Sequence, residues 1–211
     1  DILTDDIIFL MDHLRIKDAY LMSLSLGSIF VQHIAGKRPD LVKGTVMAGA
    51  VCKANARMKL LAFLARAVYP ILPFKTTYHL FAFVIMPRKN HRNSRRIFRS
   101  QARKLSPGDF NKWMSLLGEF LGSLEQTFHE KLIQPSLIVM GAQDHVFYSA
   151  ALQYARNQSL AKLLTLDGCG HVCNLEKPEI FNRAVLDFFL IPNPQRTSKK
   201  STLTRSVTSP V

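Results

Sequence analysis

The spacing of apolar positions changes several times along the chain. Over residues 3–14, Ile7, Ile8, Leu10, Met11 and Leu14 recur at helical intervals, and Thr4 stands where an N-cap would. Residues 19–23 are a short continuous apolar run that predicts a buried strand. A turn of small residues follows, then a helix over about 26–37 that Pro39 helps to end, then a second buried strand over 44–50. Helix, strand, helix, strand is the rhythm of a parallel sheet with crossover helices. It returns late in the chain, with strands at 136–140 and 161–166 and a helix at 148–158 between them. Pro178 then opens a closing helix whose predicted inner face is Ile180, Phe181, Ala184, Val185, Phe188 and Phe189.

Residues 51–130 break the alternation: they are helical in pattern, rich in Phe and Leu, and hold no convincing strand. A helical insertion between two strands of one sheet reads as a cap over the strands' C-terminal ends, where open α/β folds bind ligands. The predicted architecture is therefore α/β, a mostly parallel sheet with flanking helices. Its core occupies 1–50 and 131–192, with a helical cap over 51–130. After Pro192 the composition turns to Ser, Thr, Lys and Pro, which predicts a disordered tail over 193–211. No apolar run is long enough to span a membrane. The most apolar stretch, 60–86, is broken by Arg66, Pro70, Pro73, Lys75 and His79.

With 211 residues, 47% apolar and 20% charged, the chain has the profile of a globular protein of one ordinary domain. Charge adds something the pattern does not show. The net charge is +13, which implies attraction to anionic surfaces without bearing on fold. Arg88, Lys89, Arg92, Arg95, Arg96, Arg99, Arg103 and Lys104 fall in one acid-free stretch, and Arg196, Lys199, Lys200 and Arg205 in a second. The arginines of the first step at three and four residues, so they share a helix face. Three readings fit it: a solvated face, a patch that joins the apolar stretch 74–86 to meet anionic lipid, and a nucleic-acid surface. The scarcity of interleaved aromatics and the lack of a docking motif disfavour nucleic acid.

Three cysteines, Cys52, Cys169 and Cys173, are too few and too odd in number for a disulfide framework, and they fit a reducing cytosol. Cys169, His171 and Cys173 alternate closely enough to suggest a metal, but the usual spacer and a second ligand pair are missing.

The chemistry sits at the strand ends. Ser23-Leu24-Ser25-Leu26-Gly27 lies where the first strand meets a helix. Small residues two positions either side of a Ser allow a sharp turn that lifts the hydroxyl above the sheet edge. The next amide, here Leu26 N–H, is then left free to donate to an oxyanion. A serine hydroxyl needs a base, and the base an orienting carboxylate. Asp144 directly follows the third strand and His171 the fourth, which brings both to the edge that carries Ser25. His145 is a rival base and Asp167 a rival acid.

These segments resemble the α/β-hydrolase family. Residues 6–50 (DIIFLMDHLRIKDAYLMSLSLGSIFVQHIAGKRPDLVKGTVMAGA) look like its nucleophile unit. Residues 135–146 (PSLIVMGAQDHV) are similar to its acid-bearing strand, and residues 166–189 (LDGCGHVCNLEKPEIFNRAVLDFF) to its histidine loop and last helix. Together they cover about half the chain, and Ser23 stands where the family usually has Gly. The resemblance implies Ser25 as nucleophile, Asp144 as acid, His171 as base and Leu26 N–H as oxyanion donor. Family members normally carry three or four earlier strands and a second oxyanion amide from a His-Gly loop. The resemblance is thus to the C-terminal portion only, and it implies a fragment with half an oxyanion hole, where the loss of one donor costs ~10²–10³ in rate.

The expectation is a hydrolase of carboxylic esters or related acyl compounds acting through an acyl-enzyme. No metal or organic cofactor is implied, the partner is a small-molecule ester, and the location is cytoplasmic or peripheral to a membrane. Leu61, Phe63, Leu64, Phe81 and Phe83 suggest an apolar acyl or alcohol group, or else form the cap's own core. A non-catalytic protein of the same fold, binding membrane or partner through its basic cap, is the alternative.

Overall fold

The computed structural model describes residues 2–190, so the tail expected at 193–211 and its four cations lie outside the described residues. Strands β1 (Ala19–Leu24), β2 (Val42–Ala48), β3 (Ser136–Gly141) and β4 (Ala161–Leu166) run parallel, in the order β1-β2-β3-β4. Parallel neighbours need a crossover, and helices supply each one. Helix α1 (Ile2–His13) precedes β1, and α2 (Gly27–Lys37) joins β1 to β2. Five helices, α3 (Ala56–Val68), α4 (Phe74–Ile85), α5 (Arg92–Gln101), α6 (Pro107–Ser115) and α7 (Leu117–His129), stand between β2 and β3. Helix α8 (Tyr148–Asn157) links β3 to β4, and α9 (Cys173–Glu176) and α10 (Pro178–Leu190) follow.

Both faces of the sheet are covered, which is why its central strands read as unbroken apolar runs. Alternate side chains still go to opposite cores. Met47, Ile138 and Met140 join Ile29 and Ile34 of α2, while Val46, Ala48, Leu137 and Val139 join Phe181 and Val185 of α10. One polar pair sits in the sheet and is satisfied there, Thr45 Oγ1 donating to Ser136 Oγ at 2.8 Å.

Several boundaries and faces differ from expectation. Thr4 lies inside α1 and is buried rather than capping it. The second strand begins and ends two residues earlier than predicted, because Gly49 turns the chain with φ +53° and donates its N–H to Val139 O at 2.9 Å. Ile180 faces solvent, lying outside the stripe that Phe181, Ala184, Val185 and Phe188 make.

The insertion is all helix, as its pattern predicts. Helix α7 docks on α2, with Phe120 edge-on to Phe30, and α4 and α5 are joined by the stacked rings of Tyr78 and Phe98, 4.7 Å apart. Its first helix is rooted in the loop after β3. Asn55 caps α3 by accepting from Met58 N at 2.8 Å, and its Nδ2 donates to Val146 O at 2.8 Å.

Candidate functional site

Three loops at the C-terminal ends of β1, β3 and β4 converge. After β1, Ser25 takes φ +53°, a conformation that non-glycine residues rarely adopt and that stores roughly 1–3 kcal/mol. Its N–H donates to Ala48 O at 2.8 Å, pinning the turn to the end of β2. A Cβ on Gly27 would come within 3.2 Å of Ser23 Cβ, so both flanks must be small. Leu26 is the N-cap of α2, and a helix's leading N–H groups have no intrahelical acceptor.

At the end of β3, a Cβ on Gly141 would lie 2.1 Å from Gly170 O and 2.4 Å from Cys169 O. The β3 and β4 loops thus meet backbone to backbone, and only glycine fits. Asp144 is buried and its orientation is fixed: Oδ1 accepts from Val146 N–H at 3.2 Å and Phe147 N–H at 3.0 Å. Its Oδ2 stands 2.7 Å from His171 Nδ1.

His171 is buried beyond the Gly168 turn, with Nε2 2.8 Å from Ser25 Oγ. A Cβ on Gly49 would lie 2.4 Å from His171 O, so a bare backbone supports this residue from below. The network assigns the tautomer. Nδ1–H donates to Asp144, which leaves the Nε2 lone pair to accept from Ser25 Oγ–H. The structure therefore brings the three predicted side chains into one hydrogen-bonded line. The rivals lie elsewhere. His145 and Asp167 are exposed, and Ser23 Oγ turns to Val46 O at 3.4 Å. Burial pushes the Cys169 thiol up to about 12 and that of Cys173 to about 11. Among the described residues no three His, Cys, Asp or Glu side chains group to hold a metal.

A second polar cluster, not anticipated from the sequence, ties the insertion to these loops. His91, just ahead of α5, is fully buried, its Nε2 2.9 Å from Gln143 Oε1 and 3.8 Å from Glu176 Oε2. Asn90 Nδ2 donates to Gln143 Oε1 and to Gly168 O, both at 2.9 Å. Glu176 accepts from Gly170 N–H at 2.7 Å and from Ser94 Oγ–H at 2.8 Å. Gln143 precedes Asp144 and Gly170 precedes His171, so the base of the insertion grips both. A Cβ on Gly170 would stand 2.7 Å from the His91 ring. The available signal was the pair Asn90-His91 at the head of the arginine stripe, and Glu176 shortly before Pro178.

Ser25 and Leu26 open into a cavity of about 360 Å³ beneath the insertion. Met58, Leu61, Phe81, Ile85 and Trp113 are among its walls, and no charged side chain lines it among the described residues. Of the five apolar residues expected here, Leu61 and Phe81 do line it. Phe63, Leu64 and Phe83 instead are exposed, because their helix faces turn away from the cavity.

A family profile described as alpha/beta hydrolase fold matches residues 2–178. The chain is similar to 3-oxoadipate enol-lactonase 2 of Acinetobacter baylyi, 25% identical over 191 residues, which are 88% of this chain and 68% of that protein. An alpha/beta hydrolase from a Medee basin deep-sea metagenome library has a similar structure. Its TM-score is 0.72 at 21% identity, over 90% of this chain and 71% of that one. A second is 2-hydroxy-6-oxo-6-phenylhexa-2,4-dienoate hydrolase from Rhodococcus, with TM-score 0.69 at 21% identity, over 89% and 69%. At these identities the solved structures speak to fold alone.

Proposed function

This chain belongs to the alpha/beta hydrolase fold family, and on that premise we propose that it is a serine hydrolase of uncharged carboxylic esters with an apolar acyl or alcohol group. One observation carries the reading: the strained Ser25 hydroxyl, 2.8 Å from His171 Nε2, faces an apolar cavity. In the first half-reaction Ser25 Oγ adds to the acyl carbon while its proton passes to His171 Nε2. The carbonyl oxygen takes the negative charge and accepts from Leu26 N–H. Asp144 holds the imidazole in the tautomer that can receive that proton and stabilises the imidazolium. Collapse of the adduct breaks the ester C–O bond, and His171 returns the proton to the departing alcohol. Water then attacks the acyl-enzyme with His171 again as base, releasing the acid and Ser25.

The choice of an uncharged ester follows from the walls. A carboxylate entering this cavity would find no cation, and an unpaired buried charge is strongly disfavoured. That a similar protein is an enol-lactonase agrees with the reaction type, since a lactone is a cyclic ester.

The test is covalent labelling by an uncharged alkyl fluorophosphonate, with the adduct located by mass spectrometry. The reading expects the adduct on Ser25, none in Ser25→Ala, and hydrolysis of p-nitrophenyl butyrate lost in the same variant. Label found on another serine, or butyrate turnover that survives Ser25→Ala, would overturn it.

A further inference from the structure

The insertion concentrates the molecule's charge. Residues 51–108 hold thirteen Lys and Arg and no Asp or Glu, which leaves fifteen of each sign elsewhere and accounts for the whole net charge of +13. Among the described residues, Lys59 is the one cation of this stretch with a carboxylate partner, Glu125 at 2.9 Å. Two arginines are engaged at the contact of α4 with α5, while Arg96 donates to Asn93 Oδ1 at 3.1 Å within α5. Arg95 and Arg99 lie over the Phe83 ring at 4.3 and 5.7 Å, Arg95 also donates to the carbonyls of Met86 and Arg88, and Arg99 approaches His79. Arg88, Lys89, Arg92, Arg96, Arg103 and Lys104 remain exposed around them.

Those two cation–π contacts also show what borders the arginines. Phe83 and Leu80, one helical step apart on α4, are 45% and 49% exposed. Phe81 on the same helix is 40% exposed and lines the cavity of Ser25. Exposed rings and an aliphatic side chain therefore run between an unneutralised basic row and the cavity wall. Water is a poor solvent for such a strip, and a protein partner would have to match an acid-free surface with many carboxylates. A lipid bilayer with anionic headgroups offers both complements at once: phosphates for the arginines, and an acyl boundary for Leu80, Phe81 and Phe83.

We propose that the α4–α5 face is a docking surface for membranes bearing anionic phospholipid. Docking there sets Phe81, and the cavity behind it, against the bilayer. The surface stands independently of the hydrolase reading, because no residue in it belongs to the Ser25, Asp144 and His171 line.

The experiment is co-sedimentation of the full chain with phosphatidylcholine vesicles, with and without 30 mol% phosphatidylserine, in 0.1 and 0.5 M NaCl. Partitioning should be strong only with phosphatidylserine and should weaken in the higher salt, since exposed charges are screened beyond about 10 Å at 0.1 M. Arg92→Gln, Arg96→Gln and Arg103→Gln combined should lower the partition coefficient on the order of 100-fold, at about 5-fold for each cation. Leu80→Ser should lower it too, without changing the salt dependence. Circular dichroism melts check that each variant folds. Ser25→Ala should bind vesicles like the parent, which separates this proposal from the catalytic one. Equal binding to both vesicle types, or wild-type binding by the folded triple variant, overturns the proposal. So does salt-sensitive capture of a single-stranded oligonucleotide without capture of vesicles, which would identify a nucleic-acid surface instead.

Discussion

Where the strands end, backbone meets backbone: Gly141, the last residue of β3, touches the Gly170 and Cys169 carbonyls, and Gly49, just after β2, supports His171 from beneath. In the insertion, side chain meets side chain, through rings such as Tyr78 on Phe98 and walls such as Leu61 and Phe81. Contacts of the first kind leave no free torsion to absorb a change, so they hold a reacting geometry. Those of the second kind repack, so they suit a surface that selects what enters. The division teaches where changes should act: loop variants on the rate of chemistry or on folding, insertion variants on the choice of substrate.

The largest expected effect is at Asp144. Asn there would keep the bonds from Val146 and Phe147, but it would donate to His171 Nδ1 and turn a protonated Nε2 toward Ser25. Turnover of p-nitrophenyl butyrate should fall about 10⁴-fold with an unchanged melting curve. A fall below tenfold would mean that the loops do not set the rate. Gly49→Ala comes next. It forces a Cβ toward His171 O and keeps a positive φ, so urea unfolding should show a loss of roughly 2–4 kcal/mol.

Glu176→Ala tests the joint between the two regions. Gly170 N–H would lose its acceptor, at a cost of about 1–3 kcal/mol, while Ser94 Oγ would keep His91 O at 3.0 Å, and kcat should fall while Ser25 still reacts with the fluorophosphonate. An unaltered kcat would leave the insertion energetically separate from the loops. The smallest effect belongs to the cavity wall. Ester preference should rise by about 4-fold in kcat/KM per added acyl methylene until the cavity is filled. Ala65→Phe, on a wall helix, should move that optimum to a shorter chain without changing turnover of the acetate ester.

What could be read from the chain follows the same division. The four strands and the line Ser25, Asp144 and His171 are written locally, each as an apolar run followed by a turn of small residues. The grip of His91 and Glu176 on the loops is not legible, because it joins residues up to 85 positions apart through no periodic pattern. Burial within the insertion is hidden from the sequence for a related reason. Phe63, Leu64 and Phe83 share the composition of Leu61 and Phe81, and only the docking of the helices decides which face the cavity. Within α5, Arg92, Arg95, Arg96 and Arg99 share a face as their spacing predicts, but Arg88 and Arg103 lie outside that helix, and Arg95 and Arg99 serve the α4–α5 contact.

The place of the insertion between β2 and β3 has a consequence for how the molecule is made. Thr45 and Ser136, partners across those strands, are 91 residues apart. Closing a loop of that length costs about 4 kcal/mol of chain entropy, only about 1 kcal/mol more than closing the β3–β4 connection. Time is affected far more. At about 5–20 residues per second, a ribosome takes roughly 5–20 s to deliver β3 after β2. During that interval the inner edge of β2, with Val46 and Met47 beside it, is an open hydrogen-bonding template. Aggregation in this interval, more than native stability, is where slower synthesis of residues 51–135 should be felt.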